Sequence, residues 1–409
     1  MKVLWISNAL VSDQGISSTG TWLVALYDSI KKFAPRLFVV NAVPTPGCSA
    51  PENISTDNIQ QYRIPQSCRI DESTLQSVCD MIKSLNIDLI HIWGTENCWA
   101  YHLISAELKL PLLIEMQGIL STVKENYLGG LSVSTLLKNI TLRDLLRYKT
   151  SLYNISAFDH MIEKENIIIR DSDYIAYQSE WVRDWLQAKN NKAKLYSSNI
   201  VLRNDFYSCG QWAKERSYRK FSIVCISSFD YPLKGGHVLL EALAILKDSY
   251  PNIELRVAGK LVPRWKYTSY DKYIRRKIKR LGLEHNVRWC GPLNSKELID
   301  LLEESTVFVC PSYIESYSLA TAEALMIGIP TLTSCSGALP EFQKYGSLCF
   351  SVGDYRQCAE KIDFLFQHPE IAEEISVRNR QKLIEKYDQS KAVKKIYNMY
   401  LDIISSKLK

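Results

Sequence analysis

Glu315 and Glu323 stand eight residues apart in the stretch PSYIESYSLATAEALMIGIP, residues 311–330. The apolar run Val307–Cys310 before it reads as a strand, and residues 313–316 as the loop that follows. Ser318 suits the N-cap of a helix ending near Ile327, because its hydroxyl can accept from a first-turn amide. Glu323 then falls in the second turn of that helix, with Glu315 just before its start. Backbone amides at Tyr317, Ser318 and Leu319 would point into the same space. A helix start favours phosphate, since unpaired N–H groups and the helix dipole both attract negative charge. An ionised carboxylate only accepts hydrogen bonds, so it can hold sugar hydroxyls. Phosphate and polyol together describe a nucleotide sugar. The competing reading is two unrelated acids, one at a helix start and one on a solvated face. Ala320, Ala322 and Ala324, which allow close backbone approach, and the helix stop Gly328-Ile329-Pro330 favour the first reading.

A second group able to meet phosphate lies upstream. Residues 221–227 (FSIVCIS) read as a buried strand, followed by a loop, then Lys234-Gly235-Gly236 and a helix-like run at 237–246. Glycines permit backbone geometries that other residues resist, and lysine supplies a compact positive charge. The order is not that of a P-loop, which needs Gly-x4-Gly-Lys and then Ser or Thr. Alone, Lys234 would pass for a surface lysine. Beside Glu315 and Glu323 it becomes a diphosphate contact.

The elements that must position these residues follow an α/β pattern. Strand-like runs at 3–7, 36–42, Leu89–Trp93 and 112–116 alternate with helix-length segments, as in a parallel sheet. Residues 173–177 read as another strand, and 207–219, polar and weakly periodic, as a linker. The expected division is 1–206, 207–388 and a terminal amphipathic helix at 389–409. A chain of 409 residues suits two domains of about 200 residues each. Its 46% hydrophobic content is enough for two cores. The eleven cysteines show no metal-binding spacing, and Cys225 and Cys310 sit in apolar runs. A reducing cytoplasm and mostly buried free thiols are expected. Residues 1–7 are too short for a signal peptide, and no run approaches the ~18–20 apolar residues of a spanning helix.

Ser227, Lys234-Gly235, Val257-Ala258-Gly259, Val287–Gly291 and Glu315-x7-Glu323 together resemble the donor half of retaining GT-B glycosyltransferases. The match is to the large group often called family 4, the glycosyl transferases group 1, which includes many lipopolysaccharide and capsule enzymes. The resemblance covers residues 221–352 well and the rest loosely. It implies an α/β fold of two Rossmann-like domains facing a cleft, with the C-terminal helix crossing back to the first domain. Residues 1–206 would bind the acceptor and 207–388 the nucleotide sugar. Glu323 would hold the ribose, Glu315 the transferred sugar and Lys234 the diphosphate. Backbone at Pro292 and Leu293 would flank the base. The implied activity is retaining hexosyl transfer from a nucleotide diphosphate sugar to a glycan carried on a lipid, without cofactor or metal. The family's usual setting is bacterial surface polysaccharide synthesis, in the cytoplasm or on the inner face of the cell membrane.

The first half carries softer signals. Ligands in parallel sheets sit beyond the carboxyl ends of strands, which points to the loops after Ser7, Trp93 and Met116. In the first, Gly20 resembles a family glycine near the donor phosphates, with a plain flexible loop as the other reading. Glu96 in the second and Gln117 in the third are acceptor-side candidates. Many family members have a histidine where Gln117 stands, and a glutamine can position a hydroxyl but not take its proton. His91 falls inside its strand and reads as a packed histidine. Ser228 replaces an arginine of many relatives, a loss worth roughly 1.5–3 kcal/mol if nothing substitutes. Arg203 and Lys260 are the candidate substitutes. Asp171-Ser172-Asp173 forms a DxD triplet, but it lies just before a strand and reads as capping or loop chemistry rather than a metal site.

Charge is uneven. Ten Lys or Arg residues between 260 and 288 are opposed only by Asp271 and Glu284. Ile274, Ile278 and Leu281 recur at helical spacing, so the charges occupy an outer face. That face is either solvated or a surface for anionic lipid headgroups. Residues 119–162 mix leucines with Lys138, Arg143, Arg147 and Lys149, as an inserted helical pair or a wrap for a lipid-linked acceptor. Interleaved stacking aromatics for nucleic acid are not evident. Two other functional classes fit less well: a GT-B-related nucleotide-sugar epimerase, and a non-catalytic GT-B subunit that binds only sugar nucleotide or partner.

Overall fold

The structure, a computed structural model, describes residues 1–11, 21–66, 70–106, 108–146, 151–218, 220–227, 229, 231–259 and 262–407, apart from the side chains of 151, 152 and 377–379. The chain divides into two compact units. One comprises Met1–Leu120, His160–Val201 and Tyr387–Lys409, the other Ser121–Asp159 and Leu202–Lys386.

The first unit is built on eight strands: β1 (Lys2–Ile6), β2 (Phe38–Thr45), β3 (Glu52–Asn53), β4 (Gln60–Pro65), β5 (Leu89–Trp93), β6 (Leu112–Glu115), β7 (Tyr174–Tyr177) and β8 (Lys194–Ser197). Their spatial order is β3-β4-β2-β1-β5-β6-β7-β8. All pairs are parallel except β3 with β4. The central strands are apolar and buried along their length, as a parallel sheet covered on both faces requires. One face is covered by the helices Thr21–Phe33 and Gln389–Lys407. From the latter, Ala392, Val393, Ile396, Met399, Tyr400 and Ile403 pack with Val3, Trp5 and Leu89.

The second unit has six parallel strands: β9 (Ser222–Ile226), β10 (Glu254–Ala258), β11 (Val287–Gly291), β12 (Val307–Cys310), β13 (Thr331–Ser334) and β14 (Leu348–Phe350). Their order is β11-β10-β9-β12-β13-β14. Strand order therefore reverses between β9 and β12, which places the loops after these two strands side by side. In open α/β sheets that junction is where ligands bind.

The division departs from the one expected at 206 and 207. Residues 202–218 are not a loose linker. Trp212 is buried, its indole donates to Ser305 O at 2.8 Å, and its backbone N–H donates to Ile327 O at 2.9 Å. The Thr306 hydroxyl reaches Ser217 O at 3.0 Å. Ser121–Asp159 also belongs to the second unit, because its polar groups close on that unit's own elements. Arg276 donates to Asn139 Oδ1 at 2.9 Å, and His237 Nε2 lies 2.9 Å from Gly129 O. Seven described cysteines are free, four of them buried. Cys335 and Cys349 are joined by a disulfide beside the paired ends of β13 and β14, an exception to the mostly free thiols expected of the chain. Among the described residues, no helix is long and apolar enough to cross a membrane.

Candidate functional site

In the second unit, the loop after β9 turns through the short 3-10 segment Pro232–Lys234 into the helix Gly236–Ser249. The junction residue, Gly235, has φ +70°, and a Cβ there would lie 1.9 Å from Pro311 O. Only glycine fits, since both the left-handed backbone and the close approach exclude a side chain. The β9 loop is thereby pressed against the start of the β12 loop. Tyr313 N–H donates to Leu233 O at 2.7 Å and fixes the pairing.

This junction brings Lys234 and Glu315 together. Lys234 Nζ donates to Glu315 Oε1 at 2.6 Å, and the Ser312 hydroxyl donates to the same oxygen at 2.7 Å. Glu315 O accepts from Ala338 N–H at 2.8 Å, which holds the loop from behind. Burial opposes the Lys234 charge, but the Glu315 carboxylate outweighs it, and the ammonium pKa is raised. Lys234 is therefore a permanent cation. Its side chain remains 36% exposed and that of Glu315 15%, so the pair is open to a ligand.

Ser318 caps the helix Leu319–Ile327 by accepting from Thr321 N–H at 3.2 Å, and Gly328 ends it at φ +89°. Glu323 lies in its second turn and is 6% exposed. Arg203 forks onto it, Nε to Oε1 and Nη2 to Oε2, each at 2.7 Å. Burial pushes the Glu323 carboxyl up, and Arg203 pulls it back. The Tyr317 ring lies against Phe342, with Lys386 Nζ 5.9 Å from its centre. Pro292 and Leu293 follow β11, two strands from β9, between that strand and the helix Ser295–Glu303. Lys234, Glu315, Tyr317, Ser318, Leu319, Glu323 and Arg203 thus come from three segments around the β9–β12 junction. Arg203 is committed to Glu323 rather than presented alone. Gly20, Lys260 and Ser228 lie outside the described residues.

In the first unit, strand order reverses between β1 and β5, and their loops meet in the same way. Asn8 Nδ2 donates to Glu96 Oε1 at 2.7 Å. The Glu96 carboxyl folds over Gly94, and burial raises its pKa. Gln117 follows β6 on the adjoining loop, and its Nε2 finds no protein acceptor among the described residues. His91 is fully buried, with Nδ1 2.7 Å from Tyr400 Oη and Nε2 3.5 Å from Glu115. Burial lowers its pKa. It is a packed side chain joining sheet to helix. Asp171 pairs with Arg170, and Ser172 bonds to Ile168 O, so the DxD triplet serves the helix end. Among the described residues, no group of three or more His, Cys, Asp or Glu is placed to hold a metal ion.

Residues 212–382 match the profile of the family described as Glycosyl transferases group 1. This segment is similar to the group 1 glycosyl transferases. A 123-residue stretch is 33% identical to D-inositol 3-phosphate glycosyltransferase of Streptomyces scabiei, covering 30% of this chain. The chain spans 28% of the length of that relative. Two solved structures align along almost the whole chain. Sucrose-phosphate synthase from Thermosynechococcus elongatus has a TM-score of 0.75 at 14% identity, with 99% of both chains covered. HepE from Anabaena, in complex with UDP and glucose, has a TM-score of 0.67 at 16% identity, covering 98% of this chain and 99% of that one. The shared property is the fold, two parallel-sheet domains of the GT-B kind.

Lys234, Pro292, Leu293, Glu315 and Glu323 all fall inside the matched residues, while Arg203 precedes them. A further acid escaped the sequence. Glu165, on the helix Ser151–Asp171 in the first unit, is 1% exposed. It accepts from Thr95 Oγ1 at 2.6 Å and from Leu120 N–H at 3.1 Å, tying the loops that carry Glu96 and Gln117. Its signal was its spacing: Glu165 is three and four residues before the buried Ile168 and Ile169, hence on the inward helical face.

Burial raises the Glu165 pKa from 4.5 to about 7. An acid whose pKa rises on folding stabilises the fold most below its unfolded value, and that contribution is lost as pH climbs through the folded value. Urea unfolding of parent and Glu165→Gln at several pH values checks this. Between about pH 4 and pH 8 the difference should move in favour of the glutamine variant, by at most ~3 kcal/mol. A difference that does not change with pH would show that folding does not shift the Glu165 pKa.

Proposed function

We propose that the chain is a retaining glycosyltransferase that moves a hexosyl group from a nucleotide diphosphate sugar to a lipid-linked glycan in surface polysaccharide synthesis. The observation that carries this reading is the open Lys234–Glu315 pair at the β9–β12 junction, beside the helix that bears Glu323. A donor diphosphate would take Lys234 as its counter-charge and the helix start at Ser318 and Leu319 as its amide cradle. Lys234 would then stabilise charge developing on the leaving diphosphate, without reorganisation, because Gly235 and Tyr313 fix the loop. Glu315, held by Ser312, would orient the transferred sugar. Arg203 uses one acceptor direction on each Glu323 oxygen, leaving capacity for ribose hydroxyls. Pro292 and Leu293 would flank the base, and Glu96 and Gln117 would contact the acceptor. The reading places the enzyme in the cytoplasm, with an anionic inner membrane face as a partner.

UDP-glucose is the first donor to test, because HepE is seen with UDP and glucose. The screen should extend to GDP- and ADP-sugars, with donor hydrolysis followed on any that bind. Retention of anomeric configuration in the product, read by NMR, tests the stereochemistry. Conversion of free donor without acceptor would favour an epimerase, and binding without any turnover a non-catalytic subunit. Transfer should persist in excess EDTA, since cationic side chains and helix-start amides would neutralise the diphosphate. Complete loss with EDTA, restored by magnesium or manganese, would overturn the metal-independent mechanism.

A further inference from the structure

The helices Val133–Leu137 and Leu142–Leu146 and the turn Arg264–Lys266 make one patch in the second unit. Arg143 Nη1 donates to Lys266 O at 2.7 Å, and Thr141 Oγ1 to Tyr267 O at 3.3 Å, so helix and turn are neighbours. The patch carries large apolar side chains that nothing among the described residues covers. Leu142 is 73% exposed, Leu146 72%, Leu145 54% and Trp265 72%. Lys138, Arg264 and Lys266 are exposed beside them. The carboxylates on these elements are turned to structural use. Asp144 is buried and accepts from Thr141 N–H, while Asp271 accepts from Thr268 N–H at the next helix start. Among the described residues, the exposed charge on these elements is therefore all positive.

Several cations of the basic helix Ser269–Arg280 are neither simply solvated nor free for lipid, the two readings open from the sequence. Lys272 donates to Ile140 O, Arg276 to Asn139 Oδ1, and Lys277 is buried against Glu241. The Arg275 guanidinium lies 4.3 Å from the Trp289 ring centre. Lys272 and Arg276 hold the inserted helices in place. Lys279 and Arg280 alone on this helix's last turn remain exposed.

We propose that this patch docks on an anionic phospholipid bilayer. Leucines and a tryptophan projecting from short helices can enter the headgroup and upper acyl region, where tryptophan is favoured. The surrounding cations match the negative surface potential of such a bilayer. Charge complementarity selects this occupant, because an apolar patch meant for a protein partner of mixed charge would not need its carboxylates removed from the rim. The inference deepens the membrane part of the proposed function and is independent of the donor site. A protein that binds vesicles but turns over no donor keeps this inference and loses the other.

Co-sedimentation of the full chain with vesicles tests it. The protein should bind phosphatidylcholine vesicles containing about 30% phosphatidylglycerol, and pure phosphatidylcholine far less. Replacing Leu142, Leu146 and Trp265 by serine should lower the partition coefficient at least about tenfold. Lys138→Gln with Lys266→Gln should lower it severalfold, with a weaker effect at high salt. These side chains are mostly exposed, so an unchanged thermal midpoint shows that the fold survives. Absence of binding by the parent, or equal binding by the leucine–tryptophan variant, would overturn the proposal. So would a parent dimer in sedimentation velocity that this variant abolishes, since the patch would then cover a second copy.

Discussion

Lys234→Ala should reduce donor turnover by about 10²- to 10³-fold, the scale seen when one preorganised group that stabilises transition-state charge is removed. The loss should appear in donor affinity as well as in kcat, because the same cation would meet the diphosphate in the ground state. Glu315→Gln should act differently. It keeps an acceptor for Lys234 and for the Ser312 hydroxyl, so donor affinity should change little while kcat falls. The two side chains share one short contact, so their effects should be non-additive. Isothermal titration with UDP and steady-state kinetics with the identified donor separate the two. Parent-like turnover by Lys234→Ala would remove the β9–β12 junction as the donor site.

Arg203→Ala should cost about 3–5 kcal/mol of stability, because it leaves the buried Glu323 carboxylate without its partner. Removing both charges is a different matter. An Arg203→Met, Glu323→Leu double variant should recover much of that loss, since a buried pair replaced by apolar groups of similar volume is often neutral. Nucleotide affinity should nevertheless stay low in the double variant, as the carboxylate proposed to hold the ribose is gone. Urea midpoints give the first comparison and nucleotide titration the second. An Arg203→Ala protein with the parent midpoint would show that Glu323 is not dependent on this guanidinium, and that Arg203 is available to a phosphate after all.

The parts of the site encoded by consecutive residues were legible in the sequence. Ser318 followed by an apolar helical run and Gly328 specifies a cap, a helix and a stop within a dozen positions. Gly235 marks a turn for equally local reasons. The strand pattern of the second unit was readable because parallel strands buried on both faces are continuous apolar runs. Groups whose meaning depends on distant partners were not legible. Arg203 and Glu323 are 120 residues apart, and nothing near Arg203 announces a carboxylate partner. Glu165 sits on the inward face of its helix, yet the loops it ties were fixed only by the order of β5 and β6. The segment Ser121–Asp159 reads as part of the first half because it follows β6 directly. Its polar groups find their partners on elements formed more than a hundred residues later.

The two units are also interleaved in the order of synthesis. Tyr400 is buried in the first unit, where its hydroxyl accepts from Trp5 Nε1 at 3.1 Å and meets His91. Trp5 and His91 leave the ribosome early, and the helix that covers them comes last. At about 5–20 residues per second, the roughly 200 residues between β8 and Tyr400 take on the order of 10–40 s to translate. Throughout that interval the nascent first unit carries an uncovered apolar sheet face. The second unit is complete at Lys386, so it can close while the earlier one still waits. A nascent chain arrested just after residue 386 would therefore hold a complete second unit and a first unit still lacking the helix that covers its sheet, an apolar surface for a chaperone to shield.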